Sequence, residues 1–421
     1  LAGCVAAALL GVAPMKEVFA PFSDPVIFLF IGSFMIAESM RIHGLDRRFA
    51  SIIFSVPFFS KSVWRIIFSA GLACMLLSMW INNTAAAAMM IPVVMSALSA
   101  VEVKSRKGAF SAAALAVAYS ASIGGIATPV GTAPNLITLG ILSRTQGIQI
   151  SFFEWMVIGV PLSLLLFGAL FLILRFRSGL KHHAMPAGEI RVETASPNMT
   201  RGEKNTLFAF LLVVILWTLP GFLGIFSGHG SGIYSAYTSR VHEAVAALAG
   251  AVLLFFLPVN FREKKFTITW EQAERIDWGT IILFGSGLSL GALMFATGLG
   301  DYLGNAILGF AGKIGLLELT AIAIVCGVII TEITSNTAAT NVIVPVVISL
   351  ANTLDFSPVP PALGACFGAS MAFMLPIATP PNAIAYATGH VRITRMISTG
   401  VYMNIAAAVM IFTLIYFRFI V

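Results

Sequence analysis

The chain has 421 residues and a formal net charge of +7, yet only 10% of its residues are charged and 58% are hydrophobic. Soluble domains carry about 25% charged residues, so this composition excludes an ordinary soluble protein and predicts an integral membrane protein. The excess of Lys and Arg then has a topological meaning, because positive residues collect on the cytoplasmic side of a membrane. Nucleic acid is not an expected partner.

Long apolar runs recur along the chain, and several approach the roughly 20 residues that a bilayer-spanning helix needs. The first run, Leu1–Val12, is short, begins with Leu and does not have the pattern of a signal peptide. The four cysteines form neither a CxxC pair nor a Cys/His spacing, so neither a disulfide nor a zinc site is predicted. The longer runs are Trp155–Leu174, Leu207–Phe226, Ala244–Leu257, Ile281–Ala296 and Ile397–Phe417.

A short polar turn separates two neighbouring apolar segments in the first part of the chain. Trp64–Trp80 and Ala85–Ala100 are separated only by Ile81-Asn82-Asn83-Thr84, without a charged residue or an obvious loop. Such backbone is tolerated at membrane depth where it is buried in protein or lines a wet cavity. The pattern predicts a re-entrant hairpin over 64–101. The alternative is that Asn and Thr only cross-link helices by hydrogen bonds.

The next segment predicts a broken helix over 110–142. It contains Ala127-Thr-Pro-Val-Gly-Thr-Ala-Pro-Asn135, and two prolines with a glycine end a helix because proline removes a backbone donor and clashes with the preceding turn. A charged stretch, 177–206, follows and is predicted to be a cytoplasmic linker. The first copy of a repeat thus occupies 1–176.

A second copy of the same unit occupies 207–421. Ile333-Thr-Ser-Asn336-Thr-Ala-Ala matches the first polar turn and predicts a hairpin over 315–351. Ala378-Thr-Pro-Pro-Asn382 matches the first Pro-containing block and predicts a broken helix over 361–388. Two helical runs, Leu207–Phe226 and Ala244–Leu257, precede the matching motifs of the second copy, but only one short run, Leu1–Val12, precedes those of the first. By symmetry, about one and a half helices are expected to be missing at the N-terminus.

The distribution of positive charge predicts that the two copies have opposite orientations. If the middle linker is cytoplasmic, most of the 25 Lys and Arg residues fall on the cytoplasmic side. This holds whether the polar turns are hairpin tips or lie between two full spans. The result is an inverted repeat, which is typical of secondary transporters.

The two polar turns and the two Pro-containing blocks together suit a site for a cation and an anion. Freed carbonyls with Asn and Thr oxygens suit a hard cation such as Na⁺, and half-helix N-termini suit a carboxylate. No Lys or Arg lies within these motifs, so bound Na⁺ would have to supply positive charge for a dianion. Glu332 has two open interpretations, as an acceptor that stabilises the hairpin or as a proton or cation site.

At these motifs the chain resembles the divalent anion–sodium symporter family of dicarboxylate carriers. The paired Ser-Asn-Thr signature of that family occurs as Asn82-Asn83-Thr84 and Ser335-Asn336-Thr337. The resemblance extends over nearly the whole chain. It implies an eleven-helix fold with two re-entrant hairpins, a homodimer in the cytoplasmic (inner or plasma) membrane, and an elevator mechanism.

The resemblance also implies the residues of the site. Substrate carboxylates would contact Asn83, Thr84, Asn336, Thr337 and Thr379, with Thr132 as the counterpart of Thr379. One Na⁺ site would use Ser78, Asn82, Asn83 and Gly131. Its symmetry mate would use Thr331, Thr334, Asn336 and Ala378, partly through backbone carbonyls.

The chain departs from the family pattern at two points. Asn82 replaces the usual Ser, which alters the first cation site. Thr132-Ala-Pro-Asn replaces the usual Ser/Thr-Pro-Pro-Asn, so the first helix break is expected to be softer.

The sequence therefore predicts an all-α, inverted-repeat elevator transporter, truncated at its N-terminus, that carries C4-dicarboxylates such as succinate, malate and fumarate with Na⁺. A sodium-independent dicarboxylate exchanger and a sodium-coupled sulfate or citrate carrier remain as alternatives. A membrane-embedded enzyme is disfavoured, because no catalytic constellation occurs in the apolar segments. An anion channel is disfavoured because two hairpins that meet at mid-membrane favour alternating access.

Overall fold

The computed structural model describes residues 1–56, 62–99, 106–178, 198–228, 230–311 and 314–419. These parts of the chain are helical apart from connecting turns and a two-stranded ribbon of β1 (Pro258–Asn260) and β2 (Lys265–Phe266). The prediction of an all-α protein missed this ribbon. Its turn is local, since Asn260 Oδ1 accepts a hydrogen bond from Arg262 N at 3.0 Å and Lys264 has a positive φ of 51°.

The first half of the chain contains nine α-helices in the described ranges, and a short 3-10 helix, Ala20–Ser23, lies between the second and third. They are α1 (Ala2–Leu9), α2 (Met15–Phe19), α3 (Pro25–His43), α4 (Leu45–Ser55), α5 (Val63–Ser78), α6 (Asn83–Ser99), α7 (Arg106–Gly125), α8 (Ala133–Gln146) and α9 (Phe152–Ser178).

The second half continues with further helices on both sides of the β-ribbon. They are α10 (Arg201–Ser227), α11 (Gly232–Thr238), α12 (Glu243–Phe256), α13 (Trp270–Ala273), α14 (Trp278–Ala296), α15 (Leu299–Ala311), α16 (Leu316–Ile333), α17 (Asn336–Thr353), α18 (Val359–Ala369), α19 (Pro380–Ala387) and α20 (Ile393–Phe419).

Two series of seven helices, α3–α9 and α14–α20, follow the same order. Each opens with a helix whose N-cap is an aspartate, Asp24 or Asp277, that accepts a backbone N–H at 3.0 Å. In each series a glycine with φ of 71°, Gly44 or Gly298, separates the first helix from the second. The sequence repeat thus has a counterpart in the helix order, and the opposite orientation of the two copies stays a prediction.

The two series interlock. Within each series, the first hairpin arm packs most extensively on the helix before the break, α5 on α7 and α16 on α18. Between the series, α6 packs on α19 and α17 packs on α8. The helices that open the second half attach elsewhere, since α10 and α12 both pack on α3.

Burial divides the helices into inner and outer ones. The apolar window of α7 is entirely buried, as expected for a helix surrounded by others, whereas α10 is only 22% buried. Large apolar side chains on α9 and α10 are exposed, Phe176 at 84% and Phe226 at 83%. Such a surface fits lipid and not water.

Seven helices in the described part of the chain are long and apolar enough to cross a bilayer, or eight if α11 and α12, bent by 61°, count as one span. The hairpin arms α5 and α6 and the half-helix α18 are shorter apolar helices. The eleven-helix count implied by the resemblance is not tested by these lengths.

The predicted linker 177–206 is too long at both ends. Helix α9 continues to Ser178, and α10 begins at Arg201 because Thr200 and Glu203 form a capping box. Glu203 also pairs with Arg48 at 2.6 Å, which anchors this polar turn to α4. Most of the predicted linker, 179–197, lies outside the described residues.

Candidate functional site

The first polar turn separates α5 from α6. Asn82 Oδ1 accepts a hydrogen bond from Thr84 N at 2.7 Å, so the side chain caps the start of α6. Ser335 does the same in the second half, where its Oγ accepts from Ala338 N at 3.2 Å. The side-chain oxygen of Asn82, predicted as a cation ligand, is therefore occupied as a helix cap, and its side chain also lines a cavity described below.

Oxygen atoms converge on Asn83. Ser78 Oγ lies 2.6 Å from Asn83 Oδ1 and 2.7 Å from Ala121 O. A hydroxyl carries one proton and can donate fully to only one of these oxygens. With the Asn83 amide turned by a half-turn, its nitrogen donates to Gly131 O and Ala121 O at 3.2 Å and to Ser78 Oγ at 2.6 Å, so the protein alone satisfies it. With Oδ1 turned inward instead, the group presents only oxygens, and a bound cation would favour that orientation.

Two glycines allow this convergence. A Cβ on Gly125 would lie 2.5 Å from Asn83 Oδ1, and a Cβ on Gly131 would lie 2.5 Å from Gly125 O and 3.0 Å from Ser78 O. Real Cβ atoms do not approach so closely, so both positions require glycine for close backbone approach. Ser78, Asn83 and Gly131, three of the four residues predicted for one cation site, therefore do lie together.

The second half repeats the arrangement. Thr331 Oγ1 lies 2.7 Å from Asn336 Oδ1 and 2.6 Å from Ala369 O, so again one hydroxyl proton faces two acceptors. Thr331 and Asn336 follow Ser78 and Asn83 by 253 residues. We call the two groups the first oxygen cluster (Ser78, Asn83, Ala121 O, Gly131 O) and the second oxygen cluster (Thr331, Asn336, Ala369 O).

Hydrogen bonds do not link the other predicted ligands to these clusters. Thr334 Oγ1 donates its proton to Ile330 O at 2.9 Å within α16, which leaves its oxygen lone pairs for a cation. Ala378 is buried beside the second break, where its N–H donates to Leu375 O at 3.3 Å. The hydroxyls of Thr84, Thr132 and Thr337 have no protein hydrogen-bond partner within the described residues, and these side chains are partly exposed.

An asparagine bridges each helix break. Asn135 Nδ2 donates to Gly125 O at 2.9 Å and to Thr128 O at 2.7 Å. In the second half, Asn382 Nδ2 donates to Ala372 O at 3.0 Å and to Leu375 O at 3.1 Å. Each amide ties down carbonyls that an unbroken helix would have satisfied. Both asparagines lie in the Pro-containing motifs, but no pattern in the sequence indicated this role.

The half-helices after the breaks begin differently. Both α8 and α19 carry proline in the first two positions, where its missing N–H costs nothing. Thr379 Oγ1 accepts from Asn382 N at 3.4 Å, whereas Thr132 makes no cap hydrogen bond. Only the second break therefore has a side-chain cap at the residue predicted to contact substrate.

Glu332 holds the second break. It accepts hydrogen bonds from Phe373 N at 2.8 Å, Met374 N at 2.9 Å and Leu375 N at 3.2 Å. Asn404 Nδ2 donates to it at 2.7 Å. Because all these partners are donors, the bonds favour the acceptor role over the proton or cation site. The element that it stabilises is the break between α18 and α19, not the hairpin.

A cavity of about 960 Å³ lies between α3, α4 and α6. Asn82, Ala88, Pro92 and Ser96 line it along α6, so the cavity reaches the first polar turn. Its other walls include Phe34 and Glu38 of α3 and Asp46 of α4, together with Arg41, Arg47 and Arg275.

The corresponding helices of the second half are packed together. Gly287 of α14 lies against the amide of Asn341, and a side chain at Gly287 would overlap it. A Cβ at Gly291 would be in ordinary contact with Pro345, 3.5 Å away. Ser349 Oγ donates to Asp301 Oδ1 at 3.1 Å. One half is therefore open beside its hairpin and the other is closed.

The chemistry of both clusters is that of neutral oxygen ligands. No group of three or more His, Cys, Asp or Glu that could hold a metal ion occurs in the parts of the chain described. Hydroxyl, amide and carbonyl oxygens suit a hard cation. Ser78, Asn83, Gly131, Thr331 and Asn336 thus fit an alkali cation better than a transition metal.

Comparison with known proteins gives consistent matches over the whole chain. The family model described as the sodium:sulfate symporter transmembrane region matches residues 1–421. The sodium-dependent dicarboxylate transporter SdcS of Staphylococcus saprophyticus is 35% identical over 96% of this chain and 78% of its own length. An uncharacterized transporter of Haemophilus influenzae is 32% identical over 97% of this chain and 84% of its own.

A solved structure shares the fold. The YdaH transporter of Alcanivorax borkumensis, whose crystal structure is described as having an unusual topology, superposes with a TM-score of 0.65 over 99% of this chain and 89% of that one. The sequence identity is 16%, so this likeness concerns the fold alone.

Proposed function

The chain belongs to the sodium:sulfate symporter family and is an integral, multi-pass membrane protein, not an enzyme; we propose that it carries C4-dicarboxylates such as succinate, malate and fumarate together with Na⁺. The observation that carries this proposal is the pair of oxygen clusters at equivalent positions of the two halves. In each, a hydroxyl oxygen lies 2.6–2.7 Å from an asparagine side chain and from a backbone carbonyl.

The two asparagines link the cation to the anion. Asn83 and Asn336 each stand at the start of a helix, with Oδ1 in a cluster. The amide nitrogen of each is then available to a carboxylate, as are the hydroxyls of Thr84 and Thr337. The helix N-termini add unpaired N–H groups and positive partial charge. A dianion and the cations thus stabilise each other across one side chain in each half.

The relatives support the choice of ions. The transporters of Staphylococcus saprophyticus and Staphylococcus aureus are described as sodium-dependent and as dicarboxylate transporters, at 35% and 31% identity. The family model is described by sulfate instead. Dicarboxylate is therefore the first substrate to test, and sulfate, citrate and sodium-independent exchange are the alternative outcomes.

The elevator mechanism is part of the same proposal. The open cavity beside α6 and the closed packing of α14 on α17 support a state in which the site faces one side only. By the charge pattern, that side is the cytoplasm. The transport domain would contain the two hairpins and broken helices, and α3, α10 and α12 would belong to the scaffold. A homodimer in the plasma membrane completes the proposal.

Uptake by proteoliposomes tests the function. We expect labelled succinate to accumulate with an inward Na⁺ gradient and to stop when choline replaces external Na⁺. Uptake that is unchanged by choline and depends on internal dicarboxylate would identify an exchanger. Apparent melting temperatures with succinate, citrate and sulfate, each with and without Na⁺, identify the anion, because a ligand that binds the folded state raises stability. Light scattering in detergent tests the dimer.

A further inference from the structure

Glu332 is a buried carboxylate, 5% exposed, that follows Thr331 of the second oxygen cluster in sequence. It binds the backbone that starts at Phe373, four residues after the cluster carbonyl of Ala369. Its hydrogen bonds come from three backbone N–H groups and the amide of Asn404. Within the described residues, none of the ion pairs involves it. Its negative charge is therefore held by dipoles and is not neutralised by a cationic side chain.

The first half has no such charge. The residue 253 positions before Glu332 is Met79. There the break is held by a neutral hydrogen bond, in which Thr128 Oγ1 donates to Met79 O at 2.5 Å. The two oxygen clusters are thus alike in their ligands and different in their electrostatic surroundings.

We propose that Glu332 makes the second oxygen cluster the tighter of two cation sites, so that it is filled first. This inference rests on the function proposed above. A buried charge is poorly screened and attracts a nearby cation far more strongly than an exposed charge does. The four donors fix the carboxylate against the break, so it acts through space as a positioning residue and not as a ligand.

The measurement is the apparent melting temperature of the purified full chain against Na⁺ concentration, with choline as the replacement and without substrate. We expect two phases for the natural sequence. Glu332→Gln removes the charge, keeps one oxygen for Phe373 N and Met374 N and turns its NH₂ group towards Leu375 N. It should raise the half-saturating Na⁺ concentration of the tighter phase about tenfold or more. An unchanged tighter phase would overturn the proposal.

The double variant Glu332→Gln with Asn404→Asp separates charge from hydrogen bonding. It returns one negative charge to the same pocket on the neighbouring side chain, whose amide nitrogen lies 2.7 Å from Glu332 Oε1. If the charge governs Na⁺ affinity, the double variant regains most of what the single variant loses. If it binds Na⁺ no better than Glu332→Gln alone, the role is structural and the proposal fails.

Should Glu332→Gln not fold, a matched pair at the clusters decides the question. Ser78→Ala should leave the tighter phase in place, and Thr331→Ala should remove it. Equal losses, or the reverse order, would overturn the proposal. If the natural sequence shows no Na⁺ response at all, the proposed symport itself is wrong, which is a different result from two equal sites.

Discussion

The two halves of the chain share a helix order but differ in how the hairpin meets the first helix of its series. In the second half, Gly287 of α14 lies against Asn341 of α17. In the first half, the counterparts Phe34 and Ala88 both line the open cavity. The small residue of the second-half pair, Gly287, lies on α14, whereas the small residue of the first-half pair, Ala88, lies on α6. The first half therefore has the volume to close as the second half does, with Phe34 against Ala88.

One architecture thus supports an open and a closed arrangement at the same time. The Asp301–Ser349 hydrogen bond closes the second half. In the first half the cavity is lined by Ser96, the counterpart of Ser349, and by Asp46, which follows Gly44 much as Asp301 follows Gly298. If the protein alternates, we expect the first pair to separate as the second pair forms. This is the exchange that a mobile domain with two equivalent hairpins would make.

The largest expected effect tests whether the two clusters are equivalent in function. Asn83→Ala and Asn336→Ala each remove an oxygen from a cation and a donor from a carboxylate. Since hydrogen bonds to charged groups contribute about 1.5–3 kcal/mol each, we expect sodium-dependent succinate uptake to fall about 100-fold or more in both variants. Initial uptake rates in proteoliposomes measure this.

Asn352→Ala is the matched control for that pair. Asn352 lies on the same helix as Asn336 but is exposed, and its side chain forms none of the hydrogen bonds of the site. Its uptake should equal that of the natural sequence. Normal transport by either Asn83→Ala or Asn336→Ala would remove that cluster from the site.

A second test compares the open and closed halves directly. Ala88→Cys and Asn341→Cys occupy counterpart positions, one lining the cavity and one packed against Gly287. Cysteine reactivity follows exposure. In permeabilised vesicles, where a membrane-impermeant thiol reagent reaches both sides, we expect it to modify Ala88→Cys about tenfold faster than Asn341→Cys. The background carries Cys326→Ser, because the other three cysteines are buried.

Ligands sharpen the same comparison. With Na⁺ and succinate present, alternating access should slow the modification of Ala88→Cys and speed that of Asn341→Cys. Equal rates at the two positions under all conditions would contradict the open-and-closed difference.

A third test concerns the close backbone approach in the first cluster. Gly131→Ala places a Cβ 2.5 Å from Gly125 O, and we expect it to cost about 1–3 kcal/mol and to weaken Na⁺ binding about tenfold. Gly168→Ala is the control, since a Cβ there meets nothing within 4 Å and should leave the melting temperature equal or slightly higher. Similar melting curves for both variants would argue against a packed cluster.

The smallest expected effect separates the two helix breaks. Thr379 caps α19 and Thr132 caps nothing. Thr379→Ala should therefore lower the unfolding free energy by about 1 kcal/mol without ligand, whereas Thr132→Ala should lower only the affinity for succinate. Thermal unfolding in choline buffer measures the first effect and succinate titration the second. A larger ligand-free loss for Thr132→Ala would reverse the comparison.

The ends of the helices at the polar turns and the Pro-containing blocks follow local signals, whereas the re-entrant nature of the two hairpins stays a prediction. Asn82 precedes α6, which begins at Asn83, and Thr379-Pro-Pro marks the start of α19. Prolines and capping residues act within one turn, so their positions follow from the sequence alone. The start of α10 was missed because its first turn is charged, although the capping box of Thr200 and Glu203 was readable.

The contacts that complete the site could not be predicted. Ala121 and Ala369 contribute backbone carbonyls, and any residue type can do that. Glu332 reaches Phe373 across 41 residues, a contact that depends on how α16 packs on α18. The open cavity of the first half is likewise a property of helix packing, and no residue pattern encodes which half stands open.

The crosswise packing of α6 on α19 and of α17 on α8 has a consequence for biosynthesis. Helix α6 leaves the ribosome about 280 residues before α19, a delay of some tens of seconds at about 5–20 residues per second. During that interval the side of α6 that packs on α19 has no protein partner in the bilayer, although α7 can already cover Asn83. An insertase or a membrane chaperone that shields half-made chains would therefore govern the yield of this protein more than its final stability does.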